Sequence, residues 1–314
     1  MTASPPRLVR EPQAPPAKSR PHLPWVAPGT VGDGIARGAR TLLGRHAGVL
    51  DVVGLVLVVL LLLAAVVGPW IAPHDPYRAD PTSSLLPPGR EHLLGTDDAG
   101  RDVLSRLLVG ARSTLLAAVG VVVASTFVGA VVAAVAASAP RWLDEAIMRV
   151  VDIFLAFPSI VLALGIAAAL GPSLTSVVVA MVVAMWPATA RLVRAVMRQT
   201  TSSQYVEAAR LTGMSQRRLM SRHVLPNSFD SVYVQLGLDI SGAIVLIAGL
   251  AFLGVGAAPP SADWGSMVAQ GREYVTTAWW VALFPGLAIT LAAVGFALLG
   301  DTLRVRLDPT VVRA

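Results

Sequence analysis

Residues 207–227 read EAARLTGMSQRRLMSRHVLPN, the one long arginine-rich interruption in a chain otherwise built of apolar segments long enough to cross a bilayer. Just upstream, Ser203 to Thr212 lacks Gly and Pro and is rich in helix formers, so a short helix is expected there. Gly213 is the residue type that closes a helix by taking φ > 0, and Ser215 is placed to cap a second short helix through Leu219 and Met220. Pro226 lacks an amide hydrogen and is expected to stop that second helix. The expected shape is two short helices joined at Gly213, carrying Arg210, Arg217, Arg218 and Arg222 between two membrane spans. Such a pair can press into another protein.

The composition sets the surroundings of that loop. Of 314 residues 54% are hydrophobic and only 14% charged, and the mean hydropathy is +0.66. That is too apolar for a soluble domain and too long for one or two spans, so the chain reads as a polytopic, all-α membrane protein. Cysteine is absent, which excludes a disulfide framework and a thiolate metal site. The pI near 10.6 comes almost wholly from arginines that flank apolar runs. Positive-inside topology explains it without nucleic acid.

Residues 1–48, rich in Pro, Arg, Ala and Gly without apolar periodicity, read as a disordered cytoplasmic tail and not a signal peptide, because the first apolar run begins only near Leu50. The first span lies within 49–72: Val52 to Ile71 reaches across a hydrocarbon core of about 30 Å at about 1.5 Å per residue. Residues 73–106 form an outer loop whose prolines at 73, 76, 81, 87 and 88 oppose helix and strand alike. Helix-start chemistry follows, with Thr96 or Asp97 as N-cap of a helix that runs from about Leu107 to Ala137 as span two. Spans three (Ala146 to Leu170) and four (Leu174 to Val196) form a hairpin across three residues, with prolines at 158 and 187 as sites of bending. Spans five and six run from about Tyr233 to Val255 and from Trp280 to Leu299, and Trp264, Trp279 and Trp280 suit an interfacial belt. With the N-terminus inside, about nineteen of the twenty-five basic residues are cytoplasmic. Both ends and the loop spanning 200–230 are then in the cytosol, and residues 107–309 make a five-helix core.

The pattern Glu207, Ala208, Ala209, Gly213, Leu225, Pro226 resembles the EAA loop of bacterial ABC importer permeases. Four further segments, HLLGTDDAGRDVLSR (92–106), VVDIFLAFPSIVLAL (150–164), LAFLGVGAAPPSADWGSMV (250–268) and the stretch 279–309, resemble the second (C-type) permease subunit of dipeptide, oligopeptide and nickel importers. The resemblance covers about residues 50 to 309 and leaves the proline-rich tail unexplained. It implies a six-span, type I importer permease (MetI-like) fold in the bacterial inner membrane. It also implies that Glu207, Ala208, Ala209, Gly213, Arg217, Arg218, Leu225 and Pro226 form an element coupling the membrane domain to separate ATPases. The implied partners are a homologous second permease, two ATPase subunits, an extracytoplasmic binding protein and membrane lipid, with peptides as the cargo and nickel or another small solute as the alternative.

The chain cannot power itself. A phosphate-binding loop needs G-x-x-x-x-G-K-[ST], and the only lysine is Lys18, in PPAKSR. ATP is therefore expected to be used by partner subunits, with no cofactor, catalytic residue or metal held by this chain. The five histidines, at 22, 46, 74, 92 and 223, are dispersed, and no G-x-S-x-G elbow occurs. A secondary transporter would need carboxylates deep in the spans; Asp152 and Asp239 are the candidates, read here as pore or interface groups near the cytoplasmic ends of their helices. Asp97, Asp98, Arg101 and Asp102 form a dense charged cluster just before span two, which reads either as a landing site for a binding protein or as a purely structural cap of that span.

Overall fold

The computed structural model describes residues 48–307; the tail predicted over 1–48 lies outside the described residues, Gly48 apart. Among the described residues the regular elements are helical, and a single isolated bridge joins Thr96 to Asp102. The helices are α1 (Val49–Ile71), α2 (Val103–Ser138), α3 (Arg141–Ala156), α4 (Ser159–Leu170), α5 (Leu174–Thr201), α6 (Gln204–Leu211), α7 (Gln216–Leu219), α8 (Leu225–Leu250), α9 (Trp264–Gly271) and α10 (Trp280–Leu307). Among the described residues five stretches are long and apolar enough to cross a membrane, and the bent α3–α4 pair brings the number to six when counted as one broken span.

That break corrects the continuous span expected over 146–170. The two helices meet at 86°. Pro158 disfavours helical backbone in the residue before it, and Phe157 is accordingly extended, with φ −89° and ψ 138°. Pro187, by contrast, is carried inside α5.

Helix α2 packs along α5, α8 along α10, and α1 lies against α10 and α2. Where α8 crosses α10, a Cβ on Gly237 would come within 2.6 Å of the Gly300 Cα, so only glycine permits this approach. The shared core includes Val121, Met181, Ile244 and Leu250, all buried. Facing outward are Leu283, Leu287 and Leu291 of α10, at the i, i+4 spacing of a lipid-facing stripe.

Two tryptophans expected in an interfacial belt are instead core residues. Trp264 is 2% exposed with its Nε1–H donated to the Leu107 carbonyl, and Trp280 is 6% exposed with its Nε1–H donated to Thr96 O. A buried indole needs a partner for its one donor, and each has found a carbonyl of the outer segment or of the N-terminal part of α2. Trp279 alone of the three is exposed.

Candidate functional site

The loop after α5 folds as expected in its first half. Val206 is fully buried among Ala133, Val193, Met197, Leu219 and Val224, which fastens α6 to the ends of α2 and α5. Ala209 packs against the same cluster, whereas Glu207 and Ala208 are exposed and Leu211 stands 85% exposed at the tip. Thr212 and Gly213 close the helix by donating their amides to Ala208 O (3.3 Å) and Arg210 O (3.1 Å). Gly213 then turns the chain with φ +83°, and a Cβ there would meet nothing within 4 Å. The glycine is needed for its conformation, not for space.

The second half differs from the expectation. The Ser215 backbone carbonyl accepts the Leu219 amide at 2.9 Å and α7 begins, but Pro226 does not stop the chain. A π-helical turn over Met220–Val224, with the Leu225 amide reaching back to Met220 O, feeds directly into α8. Pro226 falls in the first turn of α8, where a missing amide is tolerated and the wider turn relieves the ring of its clash with the preceding carbonyl. Asn227 Nδ2 donates to His223 O (2.6 Å) and to the Tyr205 hydroxyl (3.1 Å), tying α8 back to α6. Leu225 is half-buried; Pro226 and Arg218 are exposed, and the Arg217 side chain lies outside the described residues. No ion pair joins Glu207 to Arg210 among the described residues, although the i+3 spacing invites one.

Beside the loop lies an ion cluster that the sequence reading missed. Asp144 of α3 is buried and accepts a forked pair from Arg194 of α5, Nε to Oδ1 at 2.6 Å and Nη2 to Oδ2 at 2.5 Å, and its Oδ2 also accepts from Arg198. A groove of about 490 Å³ continues from this cluster past Thr201 and Ser202 to Arg210 on α6. The signal lay in the i, i+4 pair Arg194 and Arg198, which puts two cations on one face of α5 and calls for an acid opposite.

The two candidate intramembrane carboxylates are treated differently. Asp152 pairs with Arg191 across α3 and α5, and both are about half exposed. Asp239 is half-buried on the wall of a cavity of about 650 Å³ framed by Phe157 and Pro158 at the α3–α4 break, Ala188 and Leu192 of α5, and Gln235. Gln235 Nε2 donates to Asp239 Oδ1 at 3.0 Å. One wall of this cavity exists because Pro158 breaks the span.

At the outer end the structure folds the charged cluster inward. The Asp97 Oδ1 accepts the amides of Ala99 and Arg101, both at 2.9 Å, while its Oδ2 accepts from Arg101 Nε at 2.8 Å and faces Arg106 at 3.4 Å. The α2 cap is Asp102, which accepts the Ser105 amide at 2.7 Å; neither Thr96 nor Asp97 serves, since Thr96 Oγ1 donates to Ser83 O and Asp97 is committed to the arginines. Asp97, Arg101 and Asp102 are buried and hold the segment together, leaving Asp98 as the exposed member. Nearby, Asp80 accepts from the hydroxyls of Thr82 and Ser83, which holds its carboxyl below the usual carboxylate range.

Residues 113–313 match the family described as binding-protein-dependent transport system inner membrane component, and residues 50–88 match the N-terminal transmembrane domain of oligopeptide transport permease C. The chain belongs to this family of transport permeases. The permease is 47% identical over 257 residues to a putative peptide transport system permease of Brucella suis, covering 82% of this chain and 86% of that protein. It is 45% identical over 263 residues to a probable D,D-dipeptide transport system permease of Escherichia coli K12, covering 83% and 87%. It is 42% identical over 267 residues to a di/tripeptide transport system permease of Pseudomonas aeruginosa, covering 83% and 88%. The permease is thus a multi-pass membrane protein with the all-helical, importer-permease fold expected from its motifs.

Proposed function

We propose that this permease forms one half of the translocation path of an ATP-driven peptide importer, with the other half supplied by a homologous second permease. The observation that carries the reading is the loop at 204–227: a rigidly rooted, outwardly bare helix ending in Leu211, followed by a glycine turn, in a chain that lacks a phosphate-binding loop of its own. One of two ATPase subunits docks on this loop in the cytosol, where both termini of the chain also lie, and the other docks on the second permease. Glu207, Ala208, Gly213, Arg218 and Pro226 present the contact surface, Ala209 and Leu225 its backing, and Arg217 adds charge.

Movement of the loop reaches the membrane along two routes. One is the Val206 cluster into α2 and α5, and the other is the continuous run from the loop through the π turn into α8, which carries Asp239. ATP is bound and hydrolysed by the partners and not by this chain. The cargo is a peptide, as the names of the relatives suggest, and it is delivered by an extracytoplasmic binding protein. Asp239 meets the peptide ammonium within the cavity, and Asp98 marks the side on which the binding protein lands.

Co-expression of the chain alone and with the permease, ATPase and binding-protein genes beside it tests this assembly. The expected product is a complex with two different permeases whose ATP hydrolysis is stimulated by the binding protein; a transport-active homo-oligomer lacking a second permease would overturn it.

A further inference from the structure

Two histidines that stand eighteen residues apart in an apparently irregular segment converge on one carboxylate. His74 follows α1, His92 lies in the outer loop, and Asp102 caps α2. One oxygen of Asp102, Oδ2, is fully committed to Ser105, accepting its amide and its hydroxyl, both at 2.7 Å. The Ser105 oxygen in turn accepts the His74 amide at 3.0 Å, so the same serine seats both the carboxylate and the backbone of the first histidine. The other oxygen, Oδ1, faces the imidazoles, with His92 Nδ1 at 2.9 Å and His74 Nδ1 at 3.8 Å. One ligand atom from each of the three residues lies within 4.8 Å of the others.

The Asp102 side chain is 1% exposed, that of His92 17% and that of His74 43%. The group is therefore closed from within and open toward an outer cavity of about 510 Å³, whose wall holds Asp75, Asp80 and Glu91 against Arg78. That balance favours a cation. A hydrogen-bonded brace accounts for His92 on Asp102. It does not account for a second, half-exposed imidazole held 4.7 Å from the first with its Nδ1 near the same oxygen.

We propose that His74, His92 and Asp102 form a binding site for a divalent first-row transition ion, zinc being the probe of choice. Two imidazoles and one carboxylate suit zinc, copper or nickel better than magnesium or calcium. Ligand atoms around a tetrahedral zinc, at about 2.0–2.2 Å from the metal, stand about 3.3 Å apart. The 2.9 and 3.8 Å separations bracket that edge, and the three ligand atoms, now within 4.8 Å of one another, must draw closer, which a rotation of the exposed His74 toward His92 allows. Ser105 supplies the outer-shell hydrogen bonds that orient the carboxylate, and the fourth position faces the cavity and takes water. A bound ion clips the end of α1, the middle of the outer loop and the first turn of α2 into one unit.

The test uses the full chain, purified in nanodiscs with a tag free of histidine and titrated with zinc against a chromogenic chelator and with cobalt followed by its visible absorption. One ion per chain is expected. A variant carrying His22→Ala, His46→Ala and His223→Ala, which touches none of the three ligands, should bind as well as wild type. His74→Ala and His92→Asn should each weaken zinc binding at least tenfold, and the asparagine keeps an N–H donor for Asp102 so that the loop retains its brace. Absence of stoichiometric binding to wild type, loss of binding in the His22/His46/His223 variant, or unchanged affinity in the His74→Ala, His92→Asn double variant would each overturn the proposal.

Discussion

Asp144 and Arg194 are joined by a two-point fork between α3 and α5, with both guanidinium–carboxylate bonds at or below 2.6 Å and the carboxylate buried. The pair links the helix before the break in span three to the helix that leads into the cytoplasmic loop. Removing only Asp144 leaves Arg194 with no acid opposite. Breaking a buried pair in this way costs about 3 kcal/mol. Asp144→Ala should lower the unfolding midpoint in detergent clearly, and Arg194→Ala should add much less when built on top of it. Additive losses would show that the fork contributes no coupling between these helices.

The bend at Phe157–Pro158 is a consequence of proline's restriction on the preceding residue. Pro158→Ala should let α3 and α4 straighten toward one helix and so narrow the cavity beside Asp239. Because the chain has no cysteine, pairs of introduced spin labels on α3 and α4 report the angle directly. The mean label separation should lengthen relative to wild type; an unchanged distance would mean that packing, not Pro158, sets the bend.

Asp239 and Gln235 share a hydrogen bond on the cavity wall. Asp239→Asn should leave assembly intact, since the amide can still bond Gln235, and should reduce uptake of peptides with a free N-terminal ammonium more than of N-acetylated ones. Equal uptake of both classes by wild type and variant would remove Asp239 from the path.

In the outer segment, charge reversal should separate two roles. Arg101→Glu places a buried carboxylate beside Asp97 and should abolish stable expression, whereas Asp98→Lys should fold normally and give weaker, salt-sensitive stimulation by the binding protein. Normal folding of the Arg101 variant would contradict the buried cluster as the element that holds this segment.

What the sequence made legible was whatever depends on local chemistry. Long apolar runs, the three-residue hairpin at 171–173 and the positive φ of Gly213 need no tertiary information. Pro158 announced a bend but not its size, which depends on what packs against the two halves. Pro226 misled because the outcome of a proline at a helix junction depends on hydrogen-bond register, and the π turn that absorbs it leaves no composition signal. By residue type alone Trp264 and Trp280 suit the interface, because an indole favours a boundary; only the fold supplies the carbonyls of Leu107 and Thr96 that allow burial. For Asp97, Arg101 and Asp102 residue type alone leaves docking and capping open; the fold buries them and makes Asp102 the cap. The meetings of Asp144 with Arg194, fifty residues on, and of His74 with His92 are products of topology.

In the proposed assembly the loop turned at Gly213 couples this permease to ATP hydrolysis. Gly213→Val forces a β-branched residue into φ +83°, which should redirect α7 without touching a span. The decisive measurement is ATP-driven peptide uptake in proteoliposomes containing the reconstituted complex, alongside the amount of ATPase retained on the purified permease. Normal membrane insertion is expected with uptake lost, and with the ATPases either released or hydrolysing without stimulation by the binding protein. Wild-type uptake and wild-type ATPase retention in the same variant would contradict it.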